Sequence, residues 1–311
     1  MGKIAIVTSE FLIKHAGAPS HPERPQRLQR ILEFITSNKE DFEIYEPVEA
    51  TDEDILSVHS PELLDVIKTP AGDTFTMLEE DTYVNLYSLS VARMAAGAGK
   101  IAIDLVANES KKRVFCAVRP PGHHAEKSKP MGFCLINNIA LAAEYAINKY
   151  GLERIAIVDF DVHHGNGTQD IFYYRDDVFF ISLHQSPLYP GTGKENETGK
   201  EIGYGYNLNF PLPAYTKGEK YIEIIENSII PKLKSYKPQL VLLSSGFDAH
   251  IDDPLANMYL TAEDYSEITK RFVVFTEELD IPLVSFLEGG YNLEALVDSV
   301  ASHLTALSGK N

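Results

Sequence analysis

Asp159, Asp161 and His163 fall at a spacing of two within IAIVDFDVHHGNG, residues 155–167. In extended chain, residues i, i+2 and i+4 point to one side. Two carboxylates and an imidazole are therefore predicted to converge where Gly165 and Gly167 turn the backbone away from an apolar, β-branched run. Groups pressed together in this way repel and desolvate one another unless a cation sits among them. Asp248, in GFDAH, offers a further carboxylate. Asp161, His163 and Asp248 would make a three-ligand metal site that leaves a position for water, as catalytic zinc requires. Zinc so bound lowers the pKa of its water to about 7. Two carboxylates make the site harder than most zinc sites, and ligand type alone leaves iron(II) and manganese open. The plainer alternative is a solvated acidic turn beside an unrelated histidine.

Other residues could work with such a site. His123 and His124 follow Pro-Pro-Gly directly. One ring could take a proton from the attacking water and pass it to a leaving amine. Each would need an orienting partner, and Asp159 and Asn166 lie near the end of the 155–159 run. A carboxylate facing His123 would favour imidazolium there, whereas an amide facing His124 would not. Tyr291 follows Gly289-Gly290, a pair that lets the backbone bend into a cleft, and its hydroxyl could donate to an oxyanion.

The elements that must position these groups alternate along the chain. Strands are predicted over 3–7, 114–118, from 155, and over 178–183, 240–244 and 282–287. Helices are predicted over 24–35, from the Ser60-Pro61-Glu62 start, and over 85–106, 138–150, 168–174, 217–236 (despite Pro231) and 261–279. A last helix follows an Asn292 cap, and residues 184–206 read as a loop rich in Gly, Pro and Tyr. Such β-α alternation implies a mainly parallel sheet with helices on both faces, where ligands bind beyond the carboxyl ends of the strands. GHH, DVHHGNG, GFDAH and EGGYN each follow an apolar run, so all four could border one crevice.

Composition sets the outer bounds. The chain has 311 residues, no linker-like or low-complexity tract and no internal repeat, which favours one domain over 1–311. With 28 basic and 45 acidic residues its net charge is −17. That balance disfavours nucleic-acid backbones and suits cationic substrates, although solubility alone would account for it. No apolar run approaches the ~18 residues of a membrane span, and the N-terminus lacks a signal-peptide core. Cys116 and Cys134 sit in apolar company as buried thiols rather than a disulfide framework. A cytoplasmic enzyme is the expectation.

HPERPQRL, RPPGHHAEKSKPMGFC, DFDVHHGNGTQDIF, PGTG, GFDAH and FLEGGYN together resemble the histone deacetylase superfamily, in family order from His21 to Tyr291. The resemblance implies the α/β arginase–deacetylase fold and zinc-dependent hydrolysis of acyl amides. By motif position it assigns zinc to Asp161, His163 and Asp248, general base and acid to His124, and an electrostatic role to His123. Tyr291 would be the oxyanion donor, with Asp159 and Asn166 behind the two histidines. Gly132, Phe133 and Tyr189 would line an acyl-lysine channel, with Leu255 at its rim. A structural potassium ion is implied at Asp159, Asp161, His163, Ser182 and Leu183. Asn166 stands where one branch of the family has Asp, so the chain resembles the class II branch and its bacterial relatives. Tyr189 stands where Phe is common.

Three functions follow: deacylation of acyl-lysine in proteins or peptides, the same chemistry on a small acetylated amine such as an acetylpolyamine, or a non-catalytic binding protein. Retention of every ligand, both histidines and the tyrosine argues against the last. Arginase-like dinuclear hydrolysis needs a second carboxylate set that the sequence does not offer. Leu255, where an acidic gatekeeper could stand, favours acyl-lysine, although Glu79, Glu80 and Asp81 could reach the rim from another loop.

Overall fold

The computed structural model describes residues 3–69, 74–108 and 111–309, so the extreme ends of the 1–311 reading lie outside it. In chain order the strands are β1 (Ile4–Val7), β2 (Phe42–Tyr45), the short β3 (Thr76–Met77) and β4 (Tyr83–Val84), β5 (Arg113–Cys116), β6 (Ile155–Asp159), β7 (Val178–Gln185), β8 (Asn207–Leu212), β9 (Leu240–Ser245) and β10 (Leu283–Leu287). Except for the β3–β4 pair they form one eight-stranded sheet in the order β2-β1-β5-β10-β9-β6-β7-β8. All of its pairings are parallel. The inner strands β6, β7, β9 and β10 are buried along their whole length, as parallel strands covered on both faces must be.

The helices are α1 (Gln26–Ser37), α2 (Asp52–Leu56), α3 (Pro61–Ile67), α4 (Ser88–Asn108), α5 (Asn138–Tyr150), α6 (Asn166–Phe172), α7 (Gly218–Ile224), α8 (Ile230–Tyr236), α9 (Ala262–Leu279) and α10 (Leu293–Leu307). They fall into two packing groups on the two faces of the sheet. One is built on α4 against α5; the other is built on α9 against α10, with α1 and α7 beside them. The signals that start them are local. Asn137 accepts from Ala140 N, Asn292 accepts from Glu294 N and Ala295 N, and Thr261 and Asp264 form a reciprocal capping box. Ser60 occupies its predicted N-cap position without a side-chain bond.

Two differences from expectation have physical causes. The 217–236 helix runs through a wide π-turn at Ile225–Ile229, which leaves room for Pro231 near the start of α8. The edge strands β2 and β8 were not predicted. Ile44 of β2 is exposed, and β8 carries Asn207, Asn209 and Pro211, residues tolerated at an edge but untypical of a strand's interior. No described helix is long and apolar enough to cross a membrane. Cys116 and Cys134 are free and buried.

The strand order decides where the chemistry lies. Strands β5, β10, β9 and β6 are consecutive neighbours in the sheet. The four loops that leave their carboxyl ends carry His123–His124, Glu288–Tyr291, Asp248 and Asp161–His163.

Candidate active site

Asp161, His163 and Asp248 are all buried, and each offers a ligand atom within 4.8 Å of the others. The expected i, i+2, i+4 face is only partly realised. Strand β6 ends at Asp159, and the chain bends through residues 161–163. Asp159 turns away, with its carboxylate accepting from Asp161 N at 3.0 Å and meeting His123 Nδ1 at 2.9 Å. Asp248, from beyond β9, therefore completes the trio in its place.

The donor set fits a cation. His163 Nδ1 faces Asp161 Oδ1 at 3.1 Å and Asp248 Oδ2 at 3.2 Å, so positive charge must lie between ring and carboxylates. Burial would depress the imidazole, but its two carboxylate partners outweigh it and lift His163 to about 10. A divalent ion bound here would take the place of that proton, since a metal ligand must be the neutral ring. The remaining carboxylate oxygens are held by backbone: Gly289 N donates to Asp161 Oδ2 at 2.8 Å, and Val162 N to Asp248 Oδ1 at 2.9 Å. Glycine is required at 289, because a Cβ there would overlap Asp248 Oδ2.

The two histidine rings lie 4.0 Å apart between centroids, tilted by 40°, but have opposite surroundings. For His123, burial is overcome by Asp161 and Asp159, which raise it to about 10 and make it an imidazolium. For His124, burial acts in concert with the charges of His123 and His163 and holds the ring well below the ordinary histidine range. Its Nδ1 lies 2.7 Å from Asn166 Oδ1. The orientation of that amide is set by Asn166 Nδ2, which donates to Glu126 Oε1 at 2.7 Å. An amide oxygen only accepts, so Nδ1 of His124 carries the hydrogen and Nε2 keeps a lone pair.

Tyr291 is buried, and burial holds its phenol far above the usual range, so the hydroxyl keeps its proton. The guanidinium of Arg27 lies 4.9 Å from the centre of its ring. Arg27 also donates to the carbonyls of Gly290 and Glu288, each at 2.6 Å, and so fixes the bend that presents the tyrosine. Behind Arg27, Glu23 meets Arg27 at 3.3 Å and takes two bonds from Arg119 at 2.8 and 2.7 Å. Glu288, buried, accepts from Gly122 N at 2.7 Å and His123 N at 3.2 Å, tying the histidine loop to the end of β10. Sequence reasoning missed Glu288, Glu23 and Arg119. The i, i+4 pairing of Glu23 with Arg27 was the available signal.

A cavity of about 230 Å³ stands over these groups. His124, His163 and Tyr291 line it, together with all four expected channel residues: Gly132, Phe133, Tyr189 and Leu255. Leu188 and Asp81 complete the lining. Phe133 is held at a positive φ of 68°, an unusual conformation for a non-glycine residue, and its N–H donates to Thr82 Oγ1 at 3.0 Å. Asp81 accepts from Gly132 N at 3.2 Å. Glu79 is paired with Lys129, and neither it nor Glu80 lines the cavity. Ser182 lies directly across the sheet from Asp159, and its hydroxyl meets His184 at 2.9 Å. Leu183, next on β7, is buried in the core.

A mainly parallel eight-stranded sheet with helices on both faces and a pocket at its carboxyl edge defines the arginase–deacetylase class of fold. In the solved structure of the HDA15 HD domain the match has a TM-score of 0.93 at 34% identity, covering 99% of this chain and 89% of that one. The histone deacetylase domain model matches residues 21–307. The chain is 40% identical over 294 residues to a probable deacetylase of Archaeoglobus fulgidus, covering 93% of this chain and 81% of its relative. It is 37% identical over 279 residues to the histone deacetylase-like amidohydrolase of Pseudomonas aeruginosa, with 89% and 73% covered. This chain belongs to the histone deacetylase family.

Proposed function

We propose that this chain, acting as one domain, is a metal-dependent amidohydrolase that removes acetyl or other acyl groups from acylated lysine in proteins or peptides. One observation carries the reading: His163 of the donor trio, the neutral His124 and the protonated Tyr291 converge on a single cavity with apolar walls. Asp161, His163 and Asp248 would hold the ion, which we assign as zinc, with iron(II) compatible with the same ligands. Such an ion, when bound, polarises a carbonyl oxygen and lowers the pKa of a water. Phe133 and Tyr189 offer aromatic walls to the methylene stem of lysine, and Leu255 packs at its entry. His124 takes the proton of the attacking water at Nε2 and passes it to the amine nitrogen as the C–N bond breaks. The water oxygen stays with the acyl carbon, so the products are a carboxylate and a free amine. His123, kept cationic by Asp161 and Asp159, stabilises the negative charge that develops, and the Tyr291 hydroxyl donates to the oxyanion. Potassium at Asp159, Asp161, His163, Ser182 and Leu183 would be structural in this reading.

Asp81 favours a second reading. Its carboxylate lines the cavity and could meet the distal ammonium of a small acetylated polyamine, which Leu255 cannot. An exposed ion pair contributes only ~0.2–1 kcal/mol, so it would narrow a preference for peptides without reversing it. The test is kcat/KM of metal-analysed protein for a panel of acyl-lysine peptides against acetylspermidine. Peptides are expected to be the better substrates. A polyamine value equal or higher would transfer the assignment to the second reading, and no turnover of either would remove both.

A further inference from the structure

We infer that His164 is a positioning residue that latches the channel loop bearing Tyr189 onto the metal-site loop. This inference rests on the acyl-lysine reading above. His163 lines the cavity, whereas the ring of the next residue, His164, is buried behind it. His164 Nδ1 lies 2.7 Å from Thr192 Oγ1, and its Nε2 lies 3.1 Å from Gln169 Oε1. Gln169 Nε2 donates to Glu197 Oε2 at 2.7 Å, so the amide oxygen is the atom that faces His164. His164 therefore donates through Nε2 and accepts the Thr192 hydroxyl at Nδ1.

A second buried imidazole completes the latch from the other side. His184, at the end of β7, lies 4.8 Å from His164 between ring centres and donates through Nε2 to Gly193 O at 3.0 Å. Gly193 N donates to Glu197 Oε2 at 3.1 Å. Gly193 has a φ of +84°, and a Cβ there would sit 2.5 Å from His184 Nε2 and 2.6 Å from the His164 ring. Gly193 is thus seated between two imidazoles with no space for a larger residue, and Thr192 beside it is bonded to one of them. A tight turn, with Gly191 N donating to Leu188 O at 2.9 Å, carries that constraint back to Tyr189. The Tyr189 ring stands edge-on to His124 and His163, at 5.2 and 6.2 Å between centres. Consecutive histidines therefore divide the work: His163 serves the ion, and His164 sets the distance from the ion to the channel wall.

Thr192 is exposed, which permits a clean test: Thr192→Val removes the hydroxyl at constant shape, and Thr192→Ser restores it. For an acyl-lysine peptide, Thr192→Val should raise KM by about fivefold, the worth of one hydrogen bond. Its kcat should stay within about twofold, because the wall touches the substrate stem and not the reacting atoms. The serine variant should match wild type in both constants. Amide exchange over residues 188–193 should quicken in the valine variant and not in the serine one. An unchanged KM, a loss confined to kcat, failure of serine to rescue, or unchanged exchange would each overturn the latch. If wild type turned over no acyl-lysine peptide, the functional reading would fall, and the exchange comparison would still decide the latch.

Discussion

Asn166 separates the two histidines chemically, and changing it to a carboxylate should move the pH dependence of catalysis. Its amide oxygen faces His124 Nδ1 and its amide nitrogen donates to Glu126 Oε1, both at 2.7 Å. Asn166→Asp alone would set two carboxylates at that second contact, so the informative protein is Asn166→Asp combined with Glu126→Gln. Charges about 5 Å apart at an effective dielectric of about 20 interact by ~3 kcal/mol, or roughly 2 pKa units. In wild type, burial and then the positive charge of His123 keep His124 low. A general base works as the neutral ring, so wild-type His124 remains competent into acid. Raising its pKa must shift the acid limb of log kcat/KM to higher pH, by about 2 units. The assay is a pH–rate profile of wild type, the double variant and Glu126→Gln, with the last expected to leave the limb in place. A limb that stays put in the double variant, or moves to lower pH, would refute His124 as the ionising base.

Three further outcomes are expected. Tyr291→Phe should lower kcat by roughly 10²–10³ with far less change in KM, and wild-type kcat in that variant would remove the oxyanion role. Metal analysis of Asp161→Ala, His163→Ala and Asp248→Ala should show a large loss of divalent ion, whereas stoichiometric ion in all three would refute the assignment of the donor trio. Glu23 resists burial through Arg119 and Arg27, which bring its carboxyl down from 4.5 to about 2. Its folded pKa is depressed, so its stabilisation is complete above about pH 4.5 and is lost as pH falls towards 2, about 3 kcal/mol in all. Urea unfolding at pH 5 and pH 3 should show about 2 kcal/mol of that loss in wild type and not in Glu23→Gln; equal acid sensitivity would remove the cluster from the explanation.

Much of the sheet was legible because burial on both faces leaves a plain record: β6, β7, β9 and β10 are continuous apolar runs that end abruptly in polar loops. Two of the long helices announced themselves through caps at Thr261 and Asn292. The edge strands left no such record. An edge strand is free to expose Ile44 or to hold Asn207, Asn209 and Pro211, so its sequence resembles a loop. Most residues that line the cavity were also legible: His124, His163 and Tyr291 from motifs that follow strands, and Gly132, Phe133, Tyr189 and Leu255 from the family resemblance, whereas Leu188 was not.

What the spacing could not reveal was which carboxylate serves which partner. Asp159, Asp161 and His163 have the period of one strand face, but the strand stops at the first of them, and a bend then frees the other two from that geometry. The consequence is functional. Were Asp159 on the same face, it would add a third carboxylate to the trio and deprive His123 of the carboxylate bonded to its Nδ1. Turned instead to His123 at 2.9 Å, it supports an imidazolium beside the neutral His124, only 4.0 Å away between ring centres. The supporting groups lay beyond reach for a related reason. Glu288 and the Glu23–Arg119 pair act on backbone or on residues distant in the chain: Glu23 and Arg119 are 96 positions apart, and Glu288 and Gly122 are 166. A buried charge needs a partner, but sequence alone does not say which. Chemistry written into a single loop is therefore visible before folding, whereas the ion pairs and hydrogen bonds that hold several loops in register exist only once the sheet has brought β5, β10, β9 and β6 side by side.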